Sequence, residues 1–265
     1  MNLLTNLMAW YDFEELFEDG HTAMDQSGRG HHIPGSGTFK DPVSGTNLPY
    51  RTARRYVAGK AGYAVDVAVS KYLYKETHVD FAVQRSVNGF TVAFWFRTEP
   101  TGLVGGQIDM VAKAAWGGGT LDWGFSELLG YYFLAATTTT GGKVASTFPT
   151  VQSALPWGSW HFVVGFVDPN GSNQLSLQID NGTIYAGSVW TGVGIATSCP
   201  FFVGPYNASP IQSGQIDSLG LWKRPLTQSE RTWLYNGGLG RRFSDIYVPV
   251  ATTNAKSITC NCSDL

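Results

Sequence analysis

The stretch GQIDSLGLWKRPLTQSERTWLYNGG, residues 214–238, decides the fold. Its first nine residues read as a β-strand. Strict two-residue alternation puts Asp217 on the same face as Leu219 and Leu221, with Ser218 and Gly220 opposite. A carboxylate on that buried side has to be neutralised, hydrogen-bonded or bound to a cation. A helix follows at once: Thr227 is placed as its N-cap and Glu230, three residues on, completes a capping box. Asn236, Gly237 and Gly238 end it after about two turns. A helix that short is not stable alone in water, so Trp233 and Leu234 are expected to dock on the strands.

The same alternation spreads outward through the chain. In FTVAFWFRT, Phe90, Val92, Phe94 and Phe96 share one face, and Thr91, Ala93, Trp95 and Arg97 the other. WHFVVGFVD repeats the pattern with Trp160, Phe162, Val164 and Phe166, and QLSLQID puts Leu175, Leu177 and Ile179 inside. DPNGSN (168–173) and DNG (180–182) read as hairpin turns. Further strands are expected at 7–12, 62–67, 107–113, 129–137 and 199–204. No long helical period interrupts them, which argues against parallel βαβ units.

Composition agrees. The 265 residues are 43% hydrophobic and 14% charged, with 32 Gly, 15 Phe, 12 Tyr and 9 Trp, as many strands and tight turns require. The reading is all-β: one antiparallel two-sheet jelly-roll sandwich over residues 1–243, with one short C-terminal helix and an arm or tail at 244–265. A net charge of −2 gives no broad attraction to nucleic acid or anionic membrane. The basic cluster RTARRY (Arg51, Arg54, Arg55) reads as a solvated loop. No apolar run is long enough to cross a bilayer, and MNLLTNLMAWYDFEE lacks the basic start of a signal peptide. Cys199, Cys260 and Cys262 form no disulfide framework and are expected as free thiols.

These segments together resemble the concanavalin A-like lectin/glucanase superfamily in its LamG-like branch. LMAWYDFEE followed by DQSGRGHH is similar to that family's opening strand and Asp-x-Ser-Gly-x-Gly turn. GKAGYAVDVAVSKYL, FTVAFWFRT and WHFVVGFVDPNGSNQLSLQIDNG follow in the family's order, and PFFVG with residues 214–238 closes the domain. The resemblance covers about nine-tenths of the chain. It implies a fold that hosts lectins, glycosidases, adhesion modules and viral surface proteins.

Catalysis is not expected. Retaining glycosidases need two carboxyls about 5–5.5 Å apart, and the paired acids of the glucanase relatives are missing here, leaving Glu127 isolated in WGFSELLG. No metalloprotease or nucleophile-elbow motif occurs, and GGGT (117–120) lacks the lysine of a phosphate loop. Relatives commonly hold a structural calcium with a closing-strand Asp. That resemblance implicates Asp217, with carbonyls such as Gly30 and with Asp12 and Glu14 as further oxygens, since calcium takes six to eight of them. The competing reading has Asp217 accepting backbone N–H bonds from the first strand. Asp25 reads as an Asx-turn residue, and His31 and His32 as solvated loop residues.

For sugar binding, an aromatic platform with nearby polar groups is the expected chemistry. WGGGTLDWGF offers Trp116, Asp122 and Trp123 in a glycine-rich loop; Trp190, Tyr206 and Asn207 are further candidates. Packing within the sandwich competes with that role at each tryptophan. The expected function is therefore a non-catalytic carbohydrate-recognition or adhesion module on a virion, such as a phage, or on a cell surface. Its partners would be glycans or other surface proteins, with self-association through the C-terminal arm. The alternatives are a structural virion component, a capsid decoration or tail protein working through protein packing, and a degenerate glycosidase.

Overall fold

A computed structural model describes residues 2–14, 22–33, 56–67, 73–75, 79–82, 89–98, 108–114, 121–128, 131–137, 143–147, 155–156, 158–172, 174–189, 199–204 and 214–246. Among the described residues the strands are β1 (Leu7–Tyr11), β2 (Tyr56–Ala58), β3 (Tyr63–Val67), β4 (Leu73–Lys75), β5 (Phe90–Thr98), β6 (Ile108–Ala114) and β7 (Leu121–Leu128). They continue as β8 (Tyr131–Thr137), β9 (Lys143–Thr147), β10 (His161–Val167), β11 (Gln174–Ile179), β12 (Ile184–Val189), β13 (Phe201–Val203) and β14 (Gly214–Trp222). Helix α1 covers Gln228–Tyr235, and a single turn, α2, covers Phe243–Ile246.

All strand pairs are antiparallel. The first sheet runs β12-β11-β10-β5-β14-β3-β2, with β1 also paired to β14; the second runs β4-β13-β6-β7-β8-β9. The expected two-sheet sandwich is the observed architecture. Its central core joins Phe94 and Phe96 of the first sheet to Phe125 of the second, with ring centroids 5.4 and 5.7 Å apart. Leu175, Leu177 and Ile179 also face this core, as their alternation requires.

The outer face of the first sheet is buried too. Trp10, Trp95, Phe162, Val164, Phe166 and Trp222 form a second apolar cluster with Leu3, Leu7, Leu226 and Leu234. The cover is helix α1, whose capping box forms as read: the Thr227 hydroxyl accepts from Glu230 N–H, and the Glu230 carboxylate accepts from Thr227 N–H. Asn236 ends the helix in the left-handed region at φ 51°. Leu234 docks fully, whereas Trp233 stays half-buried beneath the Arg241 guanidinium, 4.2 Å from its ring centroid. Arg231 is buried, donating to Gln178 Oε1 on β11 and to the Leu226 carbonyl while stacking on Phe166. Phe243 and Ile246 of α2 pack on the same cluster, so residues 244–246 of the expected arm belong to the domain's surface. Residues 247–265, with Cys260 and Cys262, lie outside the described residues; Cys199 is buried and in no disulfide.

Candidate functional site

The decisive departure from the sequence reading is at Asp217. Opposite β5, Asp217 pairs with Trp95 and Gly220 with Ala93, so three steps on β14 span two on β5. That extra residue is a β-bulge, with Ser218 at φ 50°. The bulge resets the phase. Ile216, Leu219 and Leu221 all face the central core, and Asp217 lies on the opposite face beside Trp95. The expectation that it shares a face with Leu219 and Leu221 is corrected.

Asp217 is fully buried there, under the turn that joins β2 to β3. Its Oδ2 accepts the N–H groups of Lys60 at 2.7 Å and Ala61 at 2.9 Å, and its Oδ1 accepts the Ser218 hydroxyl at 3.1 Å. The turn closes on itself through Gly59 N–H to the Gly62 carbonyl, 2.7 Å. Gly59 is required by contact, because a Cβ there would sit 2.6 Å from Asp217 Oδ2. Gly62 is required twice over: its φ is +112°, and a Cβ would overlap the Glu14 carboxylate at 1.8 Å. Glu14 Oε1 accepts Tyr63 N–H at 2.6 Å, and Arg242 donates to the Ala61 carbonyl while lying 3.7 Å from Glu14 Oε2. The turn is thus held from below by Asp217 and from its flank by Glu14 and Arg242. Burial pushes the Asp217 carboxyl up to about 6, although the N–H of Ala61, the Ser218 hydroxyl and the N–H of Lys60 pull the other way. Asp217 is a hydrogen-bonded latch, and its donors from outside β14 come from the β2–β3 turn rather than from the first strand.

The four residues expected around calcium do not make an oxygen cage. Both Asp217 oxygens already accept N–H or O–H donors, whereas calcium draws on oxygens free to face it. Asp12 accepts Glu14 N–H at 3.5 Å and Phe243 N–H at 3.4 Å, and Glu14 is committed to Tyr63 and Arg242. Burial also raises the Asp12 carboxyl, outweighing those two N–H bonds. Gly30 belongs to a different loop, the one organised by Asp25. Among the described residues no group of three or more His, Cys, Asp or Glu is placed to hold a metal ion. The residues described therefore do not fit a calcium site at Asp217.

Asp25 is the Asx-turn residue it was read as, and it does more. Its two oxygens accept Trp10 N–H (3.0 Å), Ser27 N–H (2.9 Å), the Ser27 hydroxyl (2.8 Å) and His31 N–H (2.9 Å). The loop is thereby fixed to β1. The two histidines depart from the solvated-loop reading. His31 is buried, with Nε2 3.1 Å from Asp80 Oδ2, and Asp80 also meets Lys223 Nζ at 2.6 Å. His32 Nδ1 accepts the Asp25 N–H, and burial lowers its basicity.

The tryptophan-rich stretch also divides. Residues 121–128 form strand β7 rather than a glycine-rich loop, so Leu121, Trp123 and Phe125 alternate into the central core. Trp123 packs on Phe90 and Phe201 and donates its indole N–H to the Phe81 carbonyl at 2.8 Å. With both faces and its donor engaged, it is a packing residue and no sugar platform. Asp122 is equally unavailable: it lies 3.2 Å from Lys113 Nζ, and both side chains are 1% exposed. A buried pair of this kind stabilises little on balance, yet breaking it strands a charge. Trp116, Trp190, Tyr206 and Asn207 lie outside the described residues. Ala114 ends β6 beside Pro200, whereas Gly204 follows β13 beside Met110, at the other end of that antiparallel pair.

This architecture defines a jelly-roll sandwich with buried carboxylates serving as backbone acceptors. The chain belongs to the Laminin_G_3 family of the concanavalin A-like lectin/glucanases superfamily, whose model matches residues 74–230. By sequence search, none of the curated proteins matches. Among solved structures it is similar to the binding domain of Paraclostridial Mosquitocidal Protein 1, at 17% identity and TM-score 0.66, over 88% of this chain and 52% of that one. It is also similar to the ligand-binding domain of botulinum neurotoxin serotype D in complex with N-acetylneuraminic acid (10%, TM-score 0.64, 88% and 51%). A third is the binding domain of botulinum neurotoxin DC in complex with rat synaptotagmin II (11%, TM-score 0.61, 88% and 52%). The chain spans about half the length of these structures, and at these identities the likeness establishes the fold.

Proposed function

We propose that this chain is a non-catalytic recognition module whose ligand is a glycan or a glycan-bearing surface. The observation that carries the reading is the use made of its buried acids. Asp25, Asp217 and Glu230 each accept backbone N–H groups, and Asp122 faces Lys113, so these carboxylates serve the scaffold. Hydrolysis needs two carboxyls free to face a substrate. The structural neighbours supported as binding domains, one of them bound to a sialic acid and one to a protein receptor, favour the same class. Recognition falls to the connecting segments at the strand ends, where binding residues concentrate on such scaffolds. In sequence, Trp116 follows β6 and the Tyr206–Asn207 pair follows β13, which makes them the aromatic candidates to test. The setting is a surface, cellular or viral; stoichiometric co-purification with a particle would assign it to a virion.

The test is a glycan array carrying neutral and sialylated oligosaccharides, probed with the full chain and with Trp116→Ala and Tyr206→Ala. Binding lost in at least one variant, with melting temperatures unchanged, is the expected result. An array with no signal, or binding indifferent to both changes, would overturn the glycan assignment.

A further inference from the structure

A fully buried carboxylate with no cationic partner is costly, and what compensates Asp217 is a set of neutral donors: the N–H groups of Lys60 and Ala61 and the hydroxyl and N–H of Ser218. Two of those donors belong to one turn, Gly59–Gly62, which lies on the outside of the sheet. Lifting that turn would return the carboxylate to water without disturbing the central core. It would also draw Lys60 from its place over the Trp95 ring, 4.9 Å from the centroid, and expose an indole N–H that is buried without an acceptor in the closed form.

We infer that the Gly59–Gly62 turn is an acid-locked cover over the outer aromatic face, closed when Asp217 is protonated and released more often when it is charged. The groups around Asp217 support a single dominant titration. On the turn, Lys60 directs its ammonium at Trp95, with only its backbone N–H on the carboxylate. On β5 and β3, the next rung along the same face holds Arg97 and Asp66 about Gln215, which donates to Asp66. From the flank come Glu14 and Arg242, which pair with each other, and from β1 comes Asp12, which caps Phe243 N–H. None of them forms an ion pair with Asp217.

The sign follows from linkage. Closed, the carboxyl titrates near 6; in water it titrates near the ordinary 3.8. Closure therefore gains stability that is fully present below about 3.8 and is lost as the pH rises through about 6. Between about pH 5 and about pH 7.5 these two values make opening roughly tenfold more frequent.

The experiment is amide hydrogen exchange at Lys60 and Ala61 in the full chain, corrected for intrinsic rates, across that pH range. Opening should rise about tenfold in the unaltered protein, and Asp217→Asn, which keeps an acceptor but cannot ionise, should flatten the dependence. Asp12→Asn should leave it intact. Protection that does not change with pH, or that rises with pH, overturns the inference, as does a dependence removed by Asp12→Asn. Should Asp217→Asn fail to fold, the carboxyl carbon of Asp217 followed by NMR in the unaltered protein decides the matter. A midpoint near 6 matching the exchange profile supports the cover, and a midpoint near 4 sinks it.

Discussion

The two faces of the first sheet are both dry, but they are covered by different means. The inner face meets a second sheet, and Phe94, Phe96, Val163 and Ile216 pack there against partners that are themselves on regular strands. The outer face is covered by pieces brought from separate parts of the chain: Leu3, the turn at 59–62, helix α1 and α2. Polar groups are part of that covering. Arg231, Gln178, Asp12 and Asp217 are buried on it, each engaged in hydrogen bonds. A face built by sheet-on-sheet packing depends on side-chain volume. One built by loops and a short helix also depends on satisfying backbone groups.

The sharpest way to break this contrast is to remove volume on each side. Phe94→Ala should cost about 3–5 kcal/mol, enough to leave a domain of ordinary stability barely folded, whereas Leu234→Ala on the outer face should fall near 2 kcal/mol because the helix can settle into the space. Denaturant melts compare the two directly, and equal losses would mean that the faces are equally rigid.

A smaller effect is expected at the helix cap. Thr227→Ala should cost about 1 kcal/mol. Glu230 gives the cap a pH signature opposite to that of Asp217. Burial alone would raise its carboxyl, but the Arg224 guanidinium, the Thr227 N–H and the Thr227 hydroxyl outweigh that and hold it below the usual 4.5. Its contribution is fully present above pH 4.5 and is lost as the pH falls through the lowered value. Glu230→Gln should flatten the acid limb of stability while leaving the change near pH 6 in place. The smallest effect is expected from calcium: with the Asp217 oxygens occupied by donors, excess chelator and added calcium should give the same melting temperature. A real site at a hundredfold excess of ion would instead add about 2.7 kcal/mol.

The inner face was legible from alternation because β5, β7 and β11 keep their phase along the residues they give to it. The capping box was legible for a similar reason, since Thr227, Glu230 and Asn236 act within a few residues of one another. Asp217 was misplaced because a bulge at Ser218 shifts the phase by one residue, and a non-glycine residue at positive φ leaves no mark in the pattern. Trp123 was misread for the opposite reason. Glycines at 117–119 and 124 suggested a loop, although Leu121, Trp123 and Phe125 already alternated as a strand does. The partners of Asp217, at positions 60 and 61, are separated from it by more than 150 residues and lie in a turn whose backbone, not its side chains, makes the contact. No residue type announces such a bond.

The pairing of β1 with β14 has a mechanical consequence. Leu7 opposes Trp222, Trp222 donates to the Leu3 carbonyl, and Arg224 reaches the carbonyls of Asn2 and Thr5. The chain thus enters and leaves this sheet at the same corner. Tension applied between those two points loads the β1–β14 hydrogen bonds one after another, as in a zipper, rather than all at once in shear. The clasp at that corner yields first, while the sandwich behind it carries almost none of the load.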